Sequence, residues 1–241
     1  MTHSLKTLGL VLVAMLALGA LVASGASALQ PRLTVEKYPA TLSGEQTAGA
    51  SNEFVAEGGR TSKCENVKYS GTYTEVEAKG ESGGAVSALE YIGCTVTLLG
   101  NITPATITMN GCQYRFTAGT FVSETEATGK EVHLECPTGK VIEEHIWQTS
   151  AKHLESATPL CTYTFAPQTA KGSVSYKIGG TAETPHTYLT IVSKVTVALA
   201  RTTGTVTNCG AASQTGEGEA AAKVEARNSG ELLHPTWKNE E

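Results

Sequence analysis

Two hydrophobic rhythms divide the chain. Residues 8–23 (LGLVLVAMLALGALVA) are apolar without interruption. From Leu33 onward apolar and polar positions alternate, the period of a strand with one buried face. Residues 33–38 alternate and stop at Pro39. Residues 63–69 and 72–77 alternate again, with Gly71 as the joint between them. The best-defined unit is 105–109, then Asn110-Gly111, then 112–116. Asn-Gly between two alternating runs predicts a hairpin, because both turn residues need positive φ. Residues 132–136 end at Pro137, and Thr138-Gly139 turns the chain into 140–142. Residues 161–165, 173–176 and 188–199 continue the pattern, with Gly83-Gly84 and Gly179-Gly180 as loop tips.

Helical signals are few. Residues 143–155 fit a short helix or a strand with a loop, and residues 217–227 (EGEAAAKVEAR) have helix-forming composition. The expected fold is all-β: a disulfide-bonded antiparallel β-sandwich, one large or two small immunoglobulin-like sandwiches, after a helical signal peptide. The expected organisation is a signal peptide at 1–28, sandwich halves or domains at 29–120 and 121–230, and a tail at 231–241.

The leading apolar run is read as a secretory signal. Lys6 supplies the positive n-region, and Ala26-Ser27-Ala28 gives the small-x-small pattern for cleavage after Ala28. An uncleaved anchor is the competing reading, since a spanning helix needs roughly 20 apolar residues. The small, helix-breaking residues behind the run favour cleavage. No cysteine follows it to take a lipid. The mature chain is therefore expected to be secreted and extracellular, with no membrane attachment after cleavage.

Composition narrows the functions. Charged residues make up 17% of the chain, below the roughly 25% usual in soluble domains. Threonine, glycine, alanine and serine fill the difference, and threonine suits a half-buried pleated face. A net charge of −5 offers no clustered cations for nucleic acid. All 23 acidic residues are glutamate, so aspartate-based triads and EF-hand loops are excluded. The six cysteines, an even number in an exported chain, imply disulfides. Several connectivities are open; the expected one is sequential, Cys64–Cys94, Cys112–Cys136 and Cys161–Cys209. Neither C-x-x-C nor zinc-type Cys/His spacing occurs, so no metal and no cofactor is expected.

Candidate chemistry is sparse. Gly80-Glu81-Ser82-Gly83-Gly84 matches G-x-S-x-G, but that elbow needs a strand–turn–helix in an α/β chain, which this pattern lacks. The only upstream histidine is His3, within the signal. Glu143, Glu144, His145 and His153 cluster in sequence, yet adjacent Glu143 and Glu144 point to opposite faces of a strand; a solvated charged segment is expected. Trp147 reads as core or rim, and His133 as exposed. Asn101-Ile102-Thr103 is a glycosylation sequon. Cys112, Tyr114 and Phe116 repeat the spacing of Cys161, Tyr163 and Phe165, which on a strand share one face and serve the core.

The series YPATLSG (38–44), YIGCT (91–95), Asn110-Gly111-Cys112 with Tyr114 and Phe116, Cys136-Pro137 with Gly139 and Ile142, and Cys161 with Tyr163, Phe165, Pro167 and Gln168 resembles a large set of uncharacterised secreted, six-cysteine, β-rich actinobacterial proteins. The resemblance spans about residues 38–209 and implies compartment and fold, with residues 223–227 as a final strand. It carries no catalytic residue. Two function classes follow. One is an exported non-catalytic binding or structural module whose partner, unknown, is an envelope glycan or protein. The other is a secreted hydrolase using Glu143 or Glu144 with His145. Convergence of those side chains with His153 in one cleft separates the two.

Overall fold

Alternation becomes pairing when runs with one apolar face lie side by side, and in this chain almost every run finds two neighbours. The computed structural model describes residues 30–50, 52–74, 85–98, 100–148 and 158–240. They belong to one compact unit, Gln30–Glu240. The chain enters as β1 (Gln30–Thr34) and runs through β2 (Ala40–Gln46) into β3 (Asn52–Ala56). It returns through β4 (Thr61–Cys64) into β5 (Asn66–Tyr73), goes back through β6 (Ala85–Ile92) into β7 (Thr95–Leu98), and returns through β8 (Asn101–Thr108) into β9 (Gln113–Phe116). A short β10 (Thr120–Ser123) folds onto β11 (Glu126–Glu135), which leads to β12 (Ile142–Ile146). β13 (Cys161–Phe165) then leads into β14 (Gln168–Gly179). Two unbroken 16-residue strands follow, β15 (Tyr188–Thr203) and β16 (Ser213–Asn228), with one helical turn between them, α1 (Val206–Cys209). The chain ends in β17 (Glu231–Leu232) and β18 (Thr236–Glu240).

The pairings close twice. β16, β2, β5, β6, β9, β11, β14 and β15 form a first ring, each strand antiparallel to the next. β16, β3, β4, β7, β8, β12, β13 and β15 form a second. Around each ring the strands follow chain order, and β16 closes it against β2 or β3. The molecule is thus an up-and-down arrangement of eight staves, six broken midway and two, β15 and β16, running through both rings. The fold is the disulfide-bonded, antiparallel all-β one that the alternation implies, and its facing layers are joined at both edges. Each ring takes four adjacent strands from the expected half 29–120 and four from 121–230, so each half supplies one side of both rings.

The breaks fall on turn residues and define a waist. Gly93, Asn110, Gly111 and Gly139 there have positive φ; Pro137 shares the break with Gly139, and Pro167 marks a further one. Asn110-Gly111 makes the expected turn, with the Cys112 N–H donating to Met109 O at 2.8 Å. It does not make a hairpin. β8 pairs with β7 and β12, whereas β9 pairs with β6 and β11. The turn hands the chain from the second ring to the first, and each strand gains ladders on both edges. Gly71, expected as a joint, lies inside β5. Residues 217–227 lie in β16, where ladders on both sides override helical propensity.

Two bridges clamp the waist. Lys63↔Thr95 and Gln113↔Glu135 are the last ladder pairs there, and Cys64–Cys94 and Cys112–Cys136 occupy the next register position in each case. The third, Cys161–Cys209, ties β13 to α1 at the far end of the second ring; all three pairs are sequential. A ribbon of β1 and β18 covers the far end of the first ring. There Tyr73 donates its hydroxyl to Leu33 O at 2.6 Å, and buried Trp237 packs on Tyr176 with ring centroids 5.4 Å apart. Among the described residues no helix is long and apolar enough to cross a membrane.

Candidate functional site

The period-two rule applied to β12 places Ile142, Glu144 and Ile146 inside and Glu143 and His145 outside. Glu144 is therefore a carboxylate within the second ring, 1% exposed. Its partners come from across the lumen. β4 stands three strands away around the ring (β4, β7, β8, β12) and directs Ser62 inward. Arg60, in the turn before β4, folds back inside at 4% exposure. Arg60 Nη1 donates to Glu144 Oε2 at 2.5 Å and to Ser62 Oγ at 3.0 Å, and Ser62 Oγ donates to Glu144 Oε1 at 2.6 Å. The three side chains form a polar bar across the lumen.

Aromatic rings hold the bar in place. The Arg60 guanidinium lies 4.1 Å from the Tyr163 ring centroid and 5.5 Å from that of Phe54. Tyr163 in turn donates its hydroxyl to Cys209 O, which anchors it to the bridged α1 turn. Burial pushes the Tyr163 hydroxyl pKa up, against the pull of the nearby Arg60 cation. Arg60 Nε and Nη2 are buried without a hydrogen-bond partner.

Next to the bar, at the waist, lies a cavity of about 140 Å3 bordered by residues of both rings. Its walls are largely apolar and include the rings of Phe54, Tyr69, Tyr91, Tyr114, Phe116 and Phe165. The polar residues that line it are Asn52, Glu53, Ser62, Glu144, Ser193 and Glu219. Asn52 accepts a long contact from the Tyr69 hydroxyl at 3.4 Å, and its Nδ2 is buried without a partner. The hydroxyls of Tyr91 and Tyr114 stand 3.5 Å apart. Burial raises the pKa of Tyr69, Tyr91 and Tyr114, and at Tyr91 the neighbouring Tyr114 adds to the rise. These hydroxyls stay protonated and neutral at any ordinary pH.

The residues singled out from the sequence are placed differently. Glu143 accepts from Asn110 Nδ2 at 3.0 Å on the outer face. His145 Nδ1 pairs with Thr162 Oγ1 at 3.2 Å, also outside. Glu144 points the opposite way, so these three do not converge, and the expected solvated segment is wrong at Glu144. His153, Gly80-Glu81-Ser82-Gly83-Gly84 and the cleavage position Ala28 lie outside the described residues. Trp147 is buried, its indole N–H donating to Thr106 Oγ1 at 3.2 Å. His133 faces outward beside Glu131 and Thr169. The two Cys-x-Tyr-x-Phe motifs fall one in each ring, on β9 and β13, and Phe116 and Phe165 both border the cavity.

Arg60, Ser62 and Asn52 escaped sequence reading. The legible signal was Glu144, a charged residue on the same alternating face as Ile142 and Ile146; such a residue needs a buried partner. Which cation reaches it depends on the ring closing. No protein-family model, curated protein or solved structure matches the chain.

Proposed function

We propose that this is an exported, non-catalytic binding protein that holds one small, largely apolar molecule in the waist cavity. The observation that carries the reading is that aromatic-walled space, bordered by strands of both rings and clamped by two bridges at the same level. Ligand sites are concave and mostly apolar with a few placed polar groups, and apolar cavities of roughly 150 Å3 accept a benzene-sized guest. Three disulfides suit an oxidising compartment, and residues 1–28 supply the route there. The absence of a hydrolytic role rests on the outward Glu143 and His145 and on Glu144 being committed to Arg60.

Two measurements test this. The protein recovered from the culture medium of a producing bacterium should begin at Leu29. Benzene titrated into it should shift NMR signals of the Phe54, Tyr91 and Phe165 rings with saturation at a single site. Retention of residues 1–28 on a cell-bound chain would overturn export, and unshifted waist resonances would overturn the cavity as a binding site.

A further inference from the structure

We infer that the cavity selects a small organic cation with an apolar surface, a compact quaternary ammonium. This deepens the preceding proposal and rests on the cavity being a ligand site.

The charges that line the cavity have one sign. Glu53, Glu144 and Glu219 border it, and among the described residues no lysine, arginine or histidine does. Glu144 is answered by Arg60 inside the second ring, at 2.5 Å. Glu53 and Glu219 are ladder partners on β3 and β16. Their side chains leave the sheet side by side on one face, where like charges directly opposite each other repel. The same row continues to Lys63, opposite Glu53, and to Lys194, opposite Glu219. The Lys194 ammonium lies 2.9 Å from Glu217, so in this row and beside it three carboxylates face two ammonium groups.

The same two glutamates mark the way in. β16 leaves β3 after Glu219 and meets β2 at Ala222. The wall is split over Ala220 and Ala221, bridged by the Thr47 N–H donating to Ala221 O at 2.9 Å, and Ala220 borders the cavity. Glu219 is the one exposed residue among the described residues that line the cavity, and Glu53 is half-buried. An anion at this mouth is repelled and finds no cation lining the space behind it; a cation is drawn in.

The walls decide which kind of cation. Aromatic faces attract cations through the ring quadrupole, most strongly where water is excluded. The lumen already uses this attraction: the Arg60 guanidinium lies 5.5 Å from the centroid of Phe54, a ring that also borders the cavity. A primary ammonium would bring three N–H donors, each needing an acceptor once desolvated. A quaternary ammonium has no N–H and shows only alkyl groups to the walls. With four methyl groups it is close in size to a benzene ring, which suits about 140 Å3. Glu53 and Glu219 act on it through space, with no hydrogen bond required.

The test is calorimetric titration of the intact, disulfide-bonded protein with tetramethylammonium, tert-butanol, pivalate and benzene. The first three share a compact, methyl-covered body and differ in charge; benzene reports on the cavity alone. Two variants repeat the series. Glu53→Gln with Glu219→Gln removes both charges and keeps the side-chain shape. Gly218→Val fills the site: a Cβ at Gly218 would find its nearest neighbours at 3.8–3.9 Å, on Val195, Val197 and Phe54, so the position accepts a side chain. The expected result is tetramethylammonium binding about tenfold tighter than tert-butanol, with pivalate at least roughly tenfold weaker than tert-butanol. The double glutamine variant should leave benzene unchanged and bring tetramethylammonium to within about threefold of tert-butanol. Gly218→Val, with circular dichroism unchanged, should bind none of the four. Benzene binding with tetramethylammonium no tighter than tert-butanol, a preference for pivalate, or a tenfold cation preference that survives the double variant overturns the ligand class and leaves the cavity as a site. No binding of any probe, or binding that survives Gly218→Val, overturns the cavity itself and the class with it.

Discussion

Replacing Arg60 with methionine should destabilise the protein more than almost any other single change. Arg60 and Glu144 are 4% and 1% exposed. Without the guanidinium, Glu144 keeps only Ser62 as a donor. Breaking a buried ion pair from one side costs about 3–5 kcal/mol, because a charge is left uncompensated. Methionine restores much of the apolar stem, so packing loss adds little, while the stacking on Tyr163 is forfeited. In a chain of this length each kcal/mol lowers Tm by roughly 2–4 °C, so the drop should be roughly 6–20 °C. Urea unfolding followed by circular dichroism, with disulfides intact, gives the free energy directly. The double variant Arg60→Met with Glu144→Leu is the control. Removing both charges should recover most of the loss, since an apolar substitute for a buried pair is often neutral or better. A single Arg60→Met loss below about 1 kcal/mol, or a double variant no more stable than the single one, would show that Glu144 reaches water and that no isolated charge is buried across the lumen.

Two further outcomes follow from the same structure. Removing the Cys161–Cys209 bridge, which closes 48 residues, should cost about 4 kcal/mol by loop entropy, and removing Cys112–Cys136, which closes 24, about 3.5 kcal/mol; paired cysteine-to-alanine variants compared by urea midpoint check the order. Burial raises the pKa of Tyr69, Tyr91, Tyr114 and Tyr176 above the ordinary value of 10.0, so above about pH 10 these tyrosines hold more protons in the folded chain than in the unfolded one, and their contribution to stability, constant below that pH, falls as pH rises. Tyrosinate absorbance should therefore appear in two waves, the second coinciding with loss of the β-sheet signal; a single wave from all eight tyrosines with the fold intact would contradict it.

Much of this molecule is written locally. The alternation marks where strands run, because side chains on a pleated backbone change face at every residue. It places Ile142, Glu144 and Ile146 on one face, and Tyr114 with Phe116, before any partner is known. The turn at Asn110-Gly111 is equally local, since both residues adopt positive φ. Ring closure is not local. Whether the runs beside that turn pair with each other or with β6, β7, β11 and β12 depends on which arrangement gives every strand two ladders, and that is a property of all eight staves together. The same holds for residues 217–227, helical by composition and extended because β15, β2 and β3 flank them. The site belongs wholly to this second category. Arg60 and Glu144 lie 84 positions apart and meet only because the ring brings β4 and β12 to opposite sides of one lumen. Phe116 and Phe165, from matching motifs in different rings, border one cavity only because the two rings adjoin at the waist. The sequence determined strands, turns and the face each side chain takes; the tertiary structure decided which faces enclose a common space.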